Sequence, residues 1–143
     1  MLYYERKFRD RGKDIVIGVD EAGRGPLAGP VVAAAVYLKK DDSACRIDDS
    51  KKLSASQRVR AFSEITSQHV FGVGIINERV IDRVNILVAT RLAMEQALED
   101  VFRRLYACDH GRMQVLVDGP MRPECPVPCE PIIAGDLRSL SIA

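Results

Sequence analysis

Apolar runs separated by polar stretches predict four buried strands along this chain. The runs lie at residues 15–19, 31–38, 70–76 and 114–117, and the pair Ile132 and Ile133 predicts a fifth, shorter strand. Continuous apolar composition in the first two runs predicts that both faces of those strands are buried. Gly72 and Gly74 in the third run indicate a close approach of another part of the backbone.

Helical periodicity fills most of the sequence between these strands. Helices are predicted at 2–12 and at 55–67, the second capped by Ser54, and a longer helical pattern runs from Asn77 to residue 105. Residues 135–143 also begin like a helix, but the sequence ends before that helix could bury an apolar face. We therefore expect the native sequence to continue.

The connections between the predicted strands indicate how these strands pair. Pro26 and Pro30 exclude a helix between the first two strands, so a tight antiparallel connection is expected there. The proline-rich stretch 119–131 is long enough for the crossover that two parallel strands need. Consecutive strands followed by alternating strands and helices indicate a mixed α/β sheet.

Composition and charge set bounds on this picture. The chain of 143 residues is 47% hydrophobic and 29% charged, which is typical of one globular domain with its own core. Its net charge of +1 gives no overall field toward nucleic acid or a membrane, so such a partner must be recognised by local patches. No signal peptide or membrane-spanning run is predicted. We expect a cytoplasmic monomer with no membrane partner.

The chain has four cysteines, which a cytoplasmic location predicts to be reduced. Cys108, His110, Cys125 and Cys129 flank the fourth strand and could converge on a metal. Their spacings are not those of standard zinc sites. Ordinary reduced cysteines are therefore the prediction, and a structural metal is the alternative.

Acidic residues follow two of the predicted strands. Asp20 and Glu21 come after the first strand, and Asp118 ends the run "VLVD". If these strands are neighbours, three carboxylates meet at the carboxyl ends of the sheet, where open α/β sheets bind ligands. Carboxylates that lie so close together repel one another unless a cation neutralises them. Carboxylate oxygens are hard ligands, which suit Mg²⁺ or Mn²⁺.

A glycine-rich turn adjoins the first acidic pair. Gly23 and Gly25 surround Arg24, and glycines let backbone N–H groups approach a ligand closely. The segment "GRGPLA" also fits a dinucleotide-binding pattern, but that interpretation needs a helix directly after the glycines. Pro30 and a β-branched run follow instead, so a nucleotide fold is rejected.

Basic residues that could contact phosphate occur at two further places. Lys51 and Lys52 lie in "DDSKKLS", beside a helix N-terminus, where positive charge and backbone N–H groups suit a phosphate. Arg138 and Ser139, near the end of the sequence, could also contact phosphate. A solvated charged loop is the alternative interpretation at both places.

Taken together, these stretches resemble ribonuclease HII, the type 2 RNase H family. The motifs "GVDEAGRGPLAGPVVAAAVYL", "DDSKKLS", "ERVIDRVNILVATRLAMEQAL", "VLVDG" and "IIAGDLRSLSIA" occur in the order and at the spacing of that family. The resemblance implies an RNase H-like fold for residues 1–143, with three antiparallel strands, then two parallel strands, and flanking helices. It also implies a metal-dependent endonuclease that cuts the RNA strand of RNA–DNA hybrids and cuts at ribonucleotides embedded in DNA.

The resemblance further implies roles for individual residues. Asp20, Glu21 and Asp118 would be metal ligands in a two-cation site that uses Mn²⁺ or Mg²⁺. The "GRG" sequence would recognise a ribonucleotide through its 2′-hydroxyl and adjacent phosphate. Lys51 and Lys52 would contact the nucleic-acid backbone. On the helix that follows Asn77, Asn85 is a candidate substrate contact.

The sequence departs from the family pattern in its last part. The family continues past "SLSIA" with a helix that carries a fourth acidic ligand, and Asp136 precedes that motif, so it is not the equivalent residue. The family usually has lysine where this chain has Ala134. A chain lacking the C-terminal helices is expected to hold its second cation weakly and to be feebly active or inactive.

Two other functions remain open from the sequence. One is a catalytically dead fragment that binds RNA–DNA hybrids through the "GRG" sequence and the lysines. The other is a sugar-kinase-like or actin-like ATPase, whose fold also starts with an acid and glycines after a strand. That ATPase fold would need a second phosphate loop and a far longer chain.

Overall fold

Five strands form one mixed sheet in the computed structural model, which describes residues 2–25, 29–39 and 46–143. The strands are β1 (Ile15–Ala22), β2 (Val31–Tyr37), β3 (Val70–Ile76), β4 (Met113–Asp118) and β5 (Cys129–Ile132). They are ordered β3-β2-β1-β4-β5 across the sheet. β2 is antiparallel to both β1 and β3, whereas β4 is parallel to both β1 and β5. The predicted arrangement of three antiparallel strands and then two parallel strands is confirmed.

Four α-helices accompany the sheet. They are α1 (Tyr3–Arg9), α2 (Ala55–Gln68), α3 (Glu78–Val84) and α4 (Ile86–Arg104). α2 begins as predicted, because the Ser54 hydroxyl accepts from the Gln57 N–H while the Gln57 side chain accepts from the Ser54 N–H. None of the helices within the described ranges has the length and apolar content that crossing a membrane requires. Pro26 and Cys45 lie outside the described residues.

The predicted single helix from Asn77 onward is wrong, because the chain breaks at Asn85. This residue has φ 75° and ψ 166°, a conformation that ends α3 and cannot continue a helix. Its side-chain oxygen then accepts from the Val88 N–H at 3.0 Å and so caps α4. Hydrophobic periodicity does not reveal such a break, since the apolar positions continue on both sides of it.

Substitution of Asn85 should separate its backbone role from its cap role. Asn85→Ala is expected to lower the free energy of unfolding by about 1–3 kcal/mol, since alanine loses the cap and is strained at this φ and ψ. Asn85→Gly should cost less than about 0.5 kcal/mol, because glycine adopts the conformation freely and is a tolerable cap. Urea unfolding measures both values, and equal losses for the two variants would contradict this role for the backbone.

Helix α4 packs directly on one face of the sheet at Gly72 and Gly74, as the sequence predicted. A Cβ at Gly72 would collide with the Ala97 carbonyl oxygen, and one at Gly74 with the Ala93 carbonyl oxygen. The main core lies between this helix and the sheet, and its fully buried members include Ile17, Val19, Val31, Met94, Val101, Met113, Val115 and Val117. This layer fixes the positions of the strands that end in acidic residues.

The opposite face of the sheet is covered unevenly. Residues of β2 alternate between buried Val31, Ala33 and Ala35 and the exposed Ala34, so the prediction that β2 is buried on both faces is wrong. Small alanines make the strand look continuously apolar although only one face packs on α4. The fifth strand also differs from the prediction, since it begins at Cys129 and ends before Ile133, which is exposed.

The last described residues form turns rather than the predicted start of a helix. A short 3₁₀ helix covers Gly135–Leu137, and the backbone at Ser141 then lies so close to β1 that a Cβ on Gly18 would collide with it. The buried Glu5 carboxylate of α1 accepts from the Ser139 hydroxyl at 2.6 Å and from the Ser141 N–H at 3.0 Å. These bonds join α1 to the segment near the end of the sequence.

Candidate active site

Acidic side chains from two neighbouring parallel strands line one cavity at the edge of the sheet. β1 and β4 are in register with Val19 beside Val117, so Asp20 and Asp118 are the next residues along each strand. Asp20, Glu21 and Asp118 all line a cavity of about 300 Å³. The carboxyl ends of the two strands therefore bring together the three acids that the sequence singled out.

Backbone and side-chain donors hold these carboxylates in place. The Glu21 N–H donates to Asp20 Oδ1 at 2.7 Å, and the Gly135 N–H donates to Asp118 Oδ1 at 2.7 Å. Arg24 Nη1 lies 3.0 Å from Glu21 Oε1. A side chain at position 135 would be crowded by Asp118 and Ile142, so the glycine permits the backbone donor to reach Asp118.

Besides Asp49, which lies two residues before Lys51, one further acid, Asp136, lines the same cavity. Its position in the sequence excludes it as the family's fourth ligand, but the fold brings it to the site by another route, which was not predicted. Asp136 lies in the 3₁₀ helix that follows β5, which is parallel to β4. The rule that predicted Asp118, namely that acids after parallel strands meet at one sheet edge, could also have found Asp136.

Burial and the negative charge at this edge act together on Asp20. Burial, helped by the nearby Asp118, Glu21 and Asp136 carboxylates, raises the pKa of Asp20 to about 7, against the opposing Glu21 N–H bond. Bringing a cation among these groups would favour the ionised form of Asp20. The site is therefore electrostatically unfavourable without a cation and suited to one.

The donor set fits a hard divalent cation, although the side chains are not arranged around one. Within residues 2–25, 29–39 and 46–143, no three acidic, histidine or cysteine side chains form a group that could hold a metal ion. Glu21 is engaged by Arg24 and Asp118 by the Gly135 N–H. The anionic side chains at this edge are carboxylates, whose oxygens favour Mg²⁺ or Mn²⁺ over softer metals.

This electrostatic arrangement predicts a pH dependence for cation binding. Because a proton on Asp20 competes with the cation, Mn²⁺ should bind about tenfold more weakly at about pH 6 than at about pH 8. In the cation-free protein, a rise in pH has the opposite effect on stability. From about pH 4 to 7 the folded chain binds more protons than the unfolded chain, because the pKa of Asp20 is raised only in the folded state. The contribution of Asp20 therefore lowers the free energy of unfolding as the pH rises.

Calorimetric titration of Mn²⁺ into the protein at the two pH values measures this effect. Asp20→Asn cannot titrate at this position, so it should bind Mn²⁺ weakly and with little dependence on pH. An affinity for Mn²⁺ in the unsubstituted chain that does not change between the two pH values would contradict the competition between proton and cation.

The glycine-rich turn lies next to the acidic cavity. Gly23 has φ +92°, and a Cβ there would come within 2.5 Å of the Pro30 carbonyl oxygen, so the tight backbone requires glycine. Among the described residues, apart from its neighbours in the chain, none has an atom within 4 Å of the place that a Cβ would take on Gly25, which leaves space beside this backbone. Arg24 and Glu21 line an adjoining cavity of about 250 Å³ together with Asp118 and Leu87.

The two lysines that were predicted to contact phosphate, Lys51 and Lys52, occupy different positions relative to the acidic cavity. Lys51 lies in a 3₁₀ helix over Ser50–Lys52 and lines the acidic cavity. Lys52 instead points toward Asp48, with its Nζ 3.5 Å from a carboxylate oxygen. Both lysines are exposed. Only Lys51 therefore lines the acidic cavity.

The remaining predicted substrate contacts differ in their exposure, and none of them lines the acidic cavity. Arg138 is exposed, but it does not line the acidic cavity. Asn85 is exposed, and its side-chain oxygen is used as the cap of α4. Ser139 is fully buried and its hydroxyl donates to Glu5, so the predicted phosphate contact at Ser139 does not fit the structure. The sequence does not reveal this burial, because the partner Glu5 is 134 positions away along the chain.

Several known proteins are similar to this chain in sequence. A sequence profile described as Ribonuclease HII matches residues 17–122. Ribonuclease HII of Enterococcus faecalis is 43% identical over 144 residues, which cover 100% of this chain and 53% of that protein. Ribonuclease HII of Ruminiclostridium cellulolyticum is 46% identical over 144 residues, covering 100% of this chain and 54% of that protein. The chain spans about half the length of the curated relatives it matches.

Solved structures share the fold at much lower sequence identity. Bst-RNase HIII in complex with Mn²⁺ has a TM-score of 0.70 at 19% identity, over 94% of this chain and 50% of that chain. The ribonuclease H2 from Pyrococcus horikoshii has a TM-score of 0.63 at 19% identity, over 89% of this chain and 66% of that chain. The fold is thus RNase H-like, and since the ribonuclease HII profile matches residues 17–122 of the 143, the chain belongs to the ribonuclease HII family.

Proposed function

We propose that this chain carries the catalytic edge of a metal-dependent endonuclease that acts on RNA joined to or paired with DNA. The observation that supports the proposal most directly is the shared cavity of Asp20, Glu21 and Asp118, which lies next to the "GRG" turn. One part of this arrangement suits cations and the other suits close approach of a nucleic-acid backbone. The proposed substrates are RNA–DNA hybrids and duplex DNA that contains ribonucleotides.

In this proposal Asp20, Glu21 and Asp118 hold Mn²⁺ or Mg²⁺. The bound cations supply positive charge that offsets the negative charge developing on the phosphate during attack by water. Asp118 is held by the Gly135 N–H and Asp20 by the Glu21 N–H, so each keeps one oxygen fixed while the other remains available. Release of Glu21 from Arg24 would free both groups, one for a cation and the other for the substrate.

The reaction proposed is hydrolysis of one phosphodiester bond. Water attacks the phosphorus in line with the leaving oxygen, the P–O bond to that oxygen breaks, and the products carry a 3′-hydroxyl and a 5′-phosphate. Asp20 has a raised pKa, so a substantial fraction of it is protonated at neutral pH before a cation binds. Cation binding therefore releases a proton from this residue, which couples the assembly of the site to pH.

Selection of ribose over deoxyribose is assigned to the "GRG" turn. A 2′-hydroxyl distinguishes RNA from DNA at a given position, and a backbone without side chains can approach it closely. The open space at Gly25 allows such an approach, and the exposed Arg24 guanidinium can reach a neighbouring phosphate. Lys51, at the rim of the acidic cavity, would position the strand without reading its sequence.

A cleavage assay on three duplexes tests this proposal. The substrates are duplex DNA with one ribonucleotide, an RNA–DNA hybrid and an all-DNA duplex of the same sequence. Weak cleavage of the first two is expected in Mn²⁺ or Mg²⁺, with none in a chelator and none of the all-DNA duplex. Cleavage that persists in the chelator, or equal cleavage of the all-DNA duplex, would refute the assignment.

A second candidate function is binding of the hybrid without catalysis. The engagement of Glu21 by Arg24, together with the lack of a ready metal-holding group in the part of the chain that is described, favours this alternative. Such a module would retain the hybrid in a filter-binding or anisotropy assay, with affinity falling steeply as salt rises, and would form no product. The three-duplex cleavage assay distinguishes the two functions.

The proposed setting is a monomeric protein of the cytoplasm that acts on DNA during replication and repair. A structurally similar ribonuclease HII from Archaeoglobus fulgidus was solved as a complex with PCNA. That complex is a property of the archaeal protein, and its likeness to this chain is in fold only. The partners proposed for this chain are therefore limited to the nucleic acid and the cations.

A further inference from the structure

Two cysteines lie at the ends of a stiff loop that leads into β5. The loop reads Cys-Pro-Val-Pro-Cys from Cys125 to Cys129, and its two prolines have their φ angles fixed by their rings. Val127, between the prolines, is buried in the main core. The Pro128 carbonyl accepts from the Val115 N–H at 2.9 Å. The loop is therefore restrained both by its own backbone and by its contacts.

This restraint holds both cysteines against the main core. The Cys125 thiol lies 3.3 Å from the Val127 carbonyl oxygen, to which it can donate, and its interaction with Cys129 shifts the pKa of both thiols. Both residues are half-buried and neither forms a disulfide. Cys108, the other cysteine within the described ranges, follows α4 along the chain and is also half-buried against the main core.

Small molecules can reach one thiol of this pair. Cys125 and Pro126 line an open cavity of about 440 Å³, together with Leu98 and Phe102 of α4. The Glu95 carboxylate also lines this cavity and forms an ion pair with Arg91. The mouth of the cavity is thus partly apolar and partly acidic, which suits a small neutral reagent better than an anionic one.

We propose that Cys125 and Cys129 are an oxidation site, at which a hydroperoxide converts the two thiols into an intramolecular disulfide. Cys125, as its thiolate, attacks one oxygen of the peroxide, the O–O bond breaks, and Cys125 becomes a sulfenic acid while hydroxide leaves and takes up a proton. Cys129 then loses its proton and attacks the Cys125 sulfur, the S–O bond breaks, and water leaves. The sum is two thiols and one hydrogen peroxide giving one disulfide and two waters.

The environment assigns the order of these steps. The interaction with Cys129 lowers the pKa of Cys125 to about 7, and the same interaction together with burial raises the pKa of Cys129. Cys125 is therefore the more ionised thiol and the one that faces the cavity, as the attacking group should be. This inference uses no residue of the acidic cavity and does not depend on the proposed nuclease function.

Mapping of disulfides in the native protein tests the inference. The purified chain is treated with hydrogen peroxide, its remaining thiols are alkylated, and its peptides are identified by mass spectrometry. The peptide with Cys125 and Cys129 is expected to lose two hydrogens and to escape alkylation, while Cys108 is alkylated. A disulfide that involves Cys108, a disulfide between two molecules, or further oxidation of Cys125 beside an alkylated Cys129 would overturn the proposal.

Matched serine variants separate the two roles. Cys129→Ser should accumulate the Cys125 sulfenic acid, which a dimedone probe captures, whereas Cys125→Ser should leave Cys129 alkylatable and should react with dimedone at least tenfold less. Cys108→Ser is the control and should form the same disulfide as the unsubstituted chain. Stoichiometric zinc in the untreated protein, released by peroxide, would also overturn the proposal, because the thiols would then be metal ligands.

Discussion

Asp118→Asn is expected to remove the effect of divalent cations on this chain, in both its melting temperature and its cleavage of a ribonucleotide-containing duplex. The asparagine oxygen can still accept from the Gly135 N–H, which lies 2.7 Å from Asp118 Oδ1, so the fold should persist. The charge that would bind the cation is lost. The cleavage rate of Asp118→Asn should be about 100-fold or more below that of the unsubstituted chain. Loss of a proposed metal ligand should cost at least as much activity as loss of a residue that only supports such a ligand.

Differential scanning fluorimetry with and without Mn²⁺ supplies a readout that does not require turnover. The unsubstituted chain should melt at a higher temperature when Mn²⁺ is added, because a ligand that binds only the folded state stabilises it. Asp118→Asn should lose most of that increase. In the absence of cations its melting temperature should rise slightly, because one of several mutually repelling carboxylates has been removed.

Asp100→Asn is the matched control for this substitution. It makes the same chemical change on α4, where Asp100 forms a surface ion pair with Arg104 at 3.3 Å, and it should alter neither the Mn²⁺ response nor cleavage. An unchanged Mn²⁺ effect in Asp118→Asn would show that the cation binds elsewhere. Loss of the effect in both variants would show that it comes from general charge rather than from this site.

Gly74→Val should destabilise the fold more than the substitutions at Asn85 or Asp118. A Cβ at Gly74 would overlap the carbonyl oxygen of Ala93, and neither the α4 backbone nor β3 can move without disturbing the core between them. We expect the free energy of unfolding to fall by about 3 kcal/mol or more. Since small domains are stable by only about 5–15 kcal/mol, much of the protein would unfold under mild conditions.

Ala34→Val is the control for this second substitution. Ala34 pairs with Val73 on the neighbouring strand but lies on the exposed side of β2, so a larger side chain there meets solvent rather than a helix. Its effect should stay within about 0.5 kcal/mol. Urea unfolding compares the two variants, and a similar loss for both would mean that strand propensity, rather than contact with α4, sets the cost at Gly74.

Short-range patterns predicted the parts of this protein that depend on neighbouring residues. Buried runs predicted β1 and β4, and the rule for the ends of parallel strands placed Asp20 and Asp118 side by side. Gly72 and Gly74 predicted a close backbone approach, which the structure shows to be that of α4. These features follow from side-chain size and strand direction, which are local properties of the sequence.

Features that depend on a single backbone angle or on a distant partner were not predicted. Asn85 breaks a helical pattern because of its positive φ, which the surrounding apolar positions do not reveal. Ser139 is polar but buried, because Glu5 lies 134 positions away along the chain and accepts its hydrogen bond. Asp136 reaches the acidic cavity through a short turn after β5, a strand whose end was predicted one residue too late.

The bonds between Glu5 and the segment at Ser139 and Ser141 have a consequence for biosynthesis. A ribosome makes Glu5 more than a hundred residues before its two serine partners, so the nascent carboxylate stays hydrated while the strands of the sheet are made. The entropic cost of closing a loop grows only slowly with its length, so the length of this loop adds little to that cost. The late formation of these bonds therefore reflects the order of translation. Helix α1 is thus secured by these bonds only after all five strands of the sheet have been made.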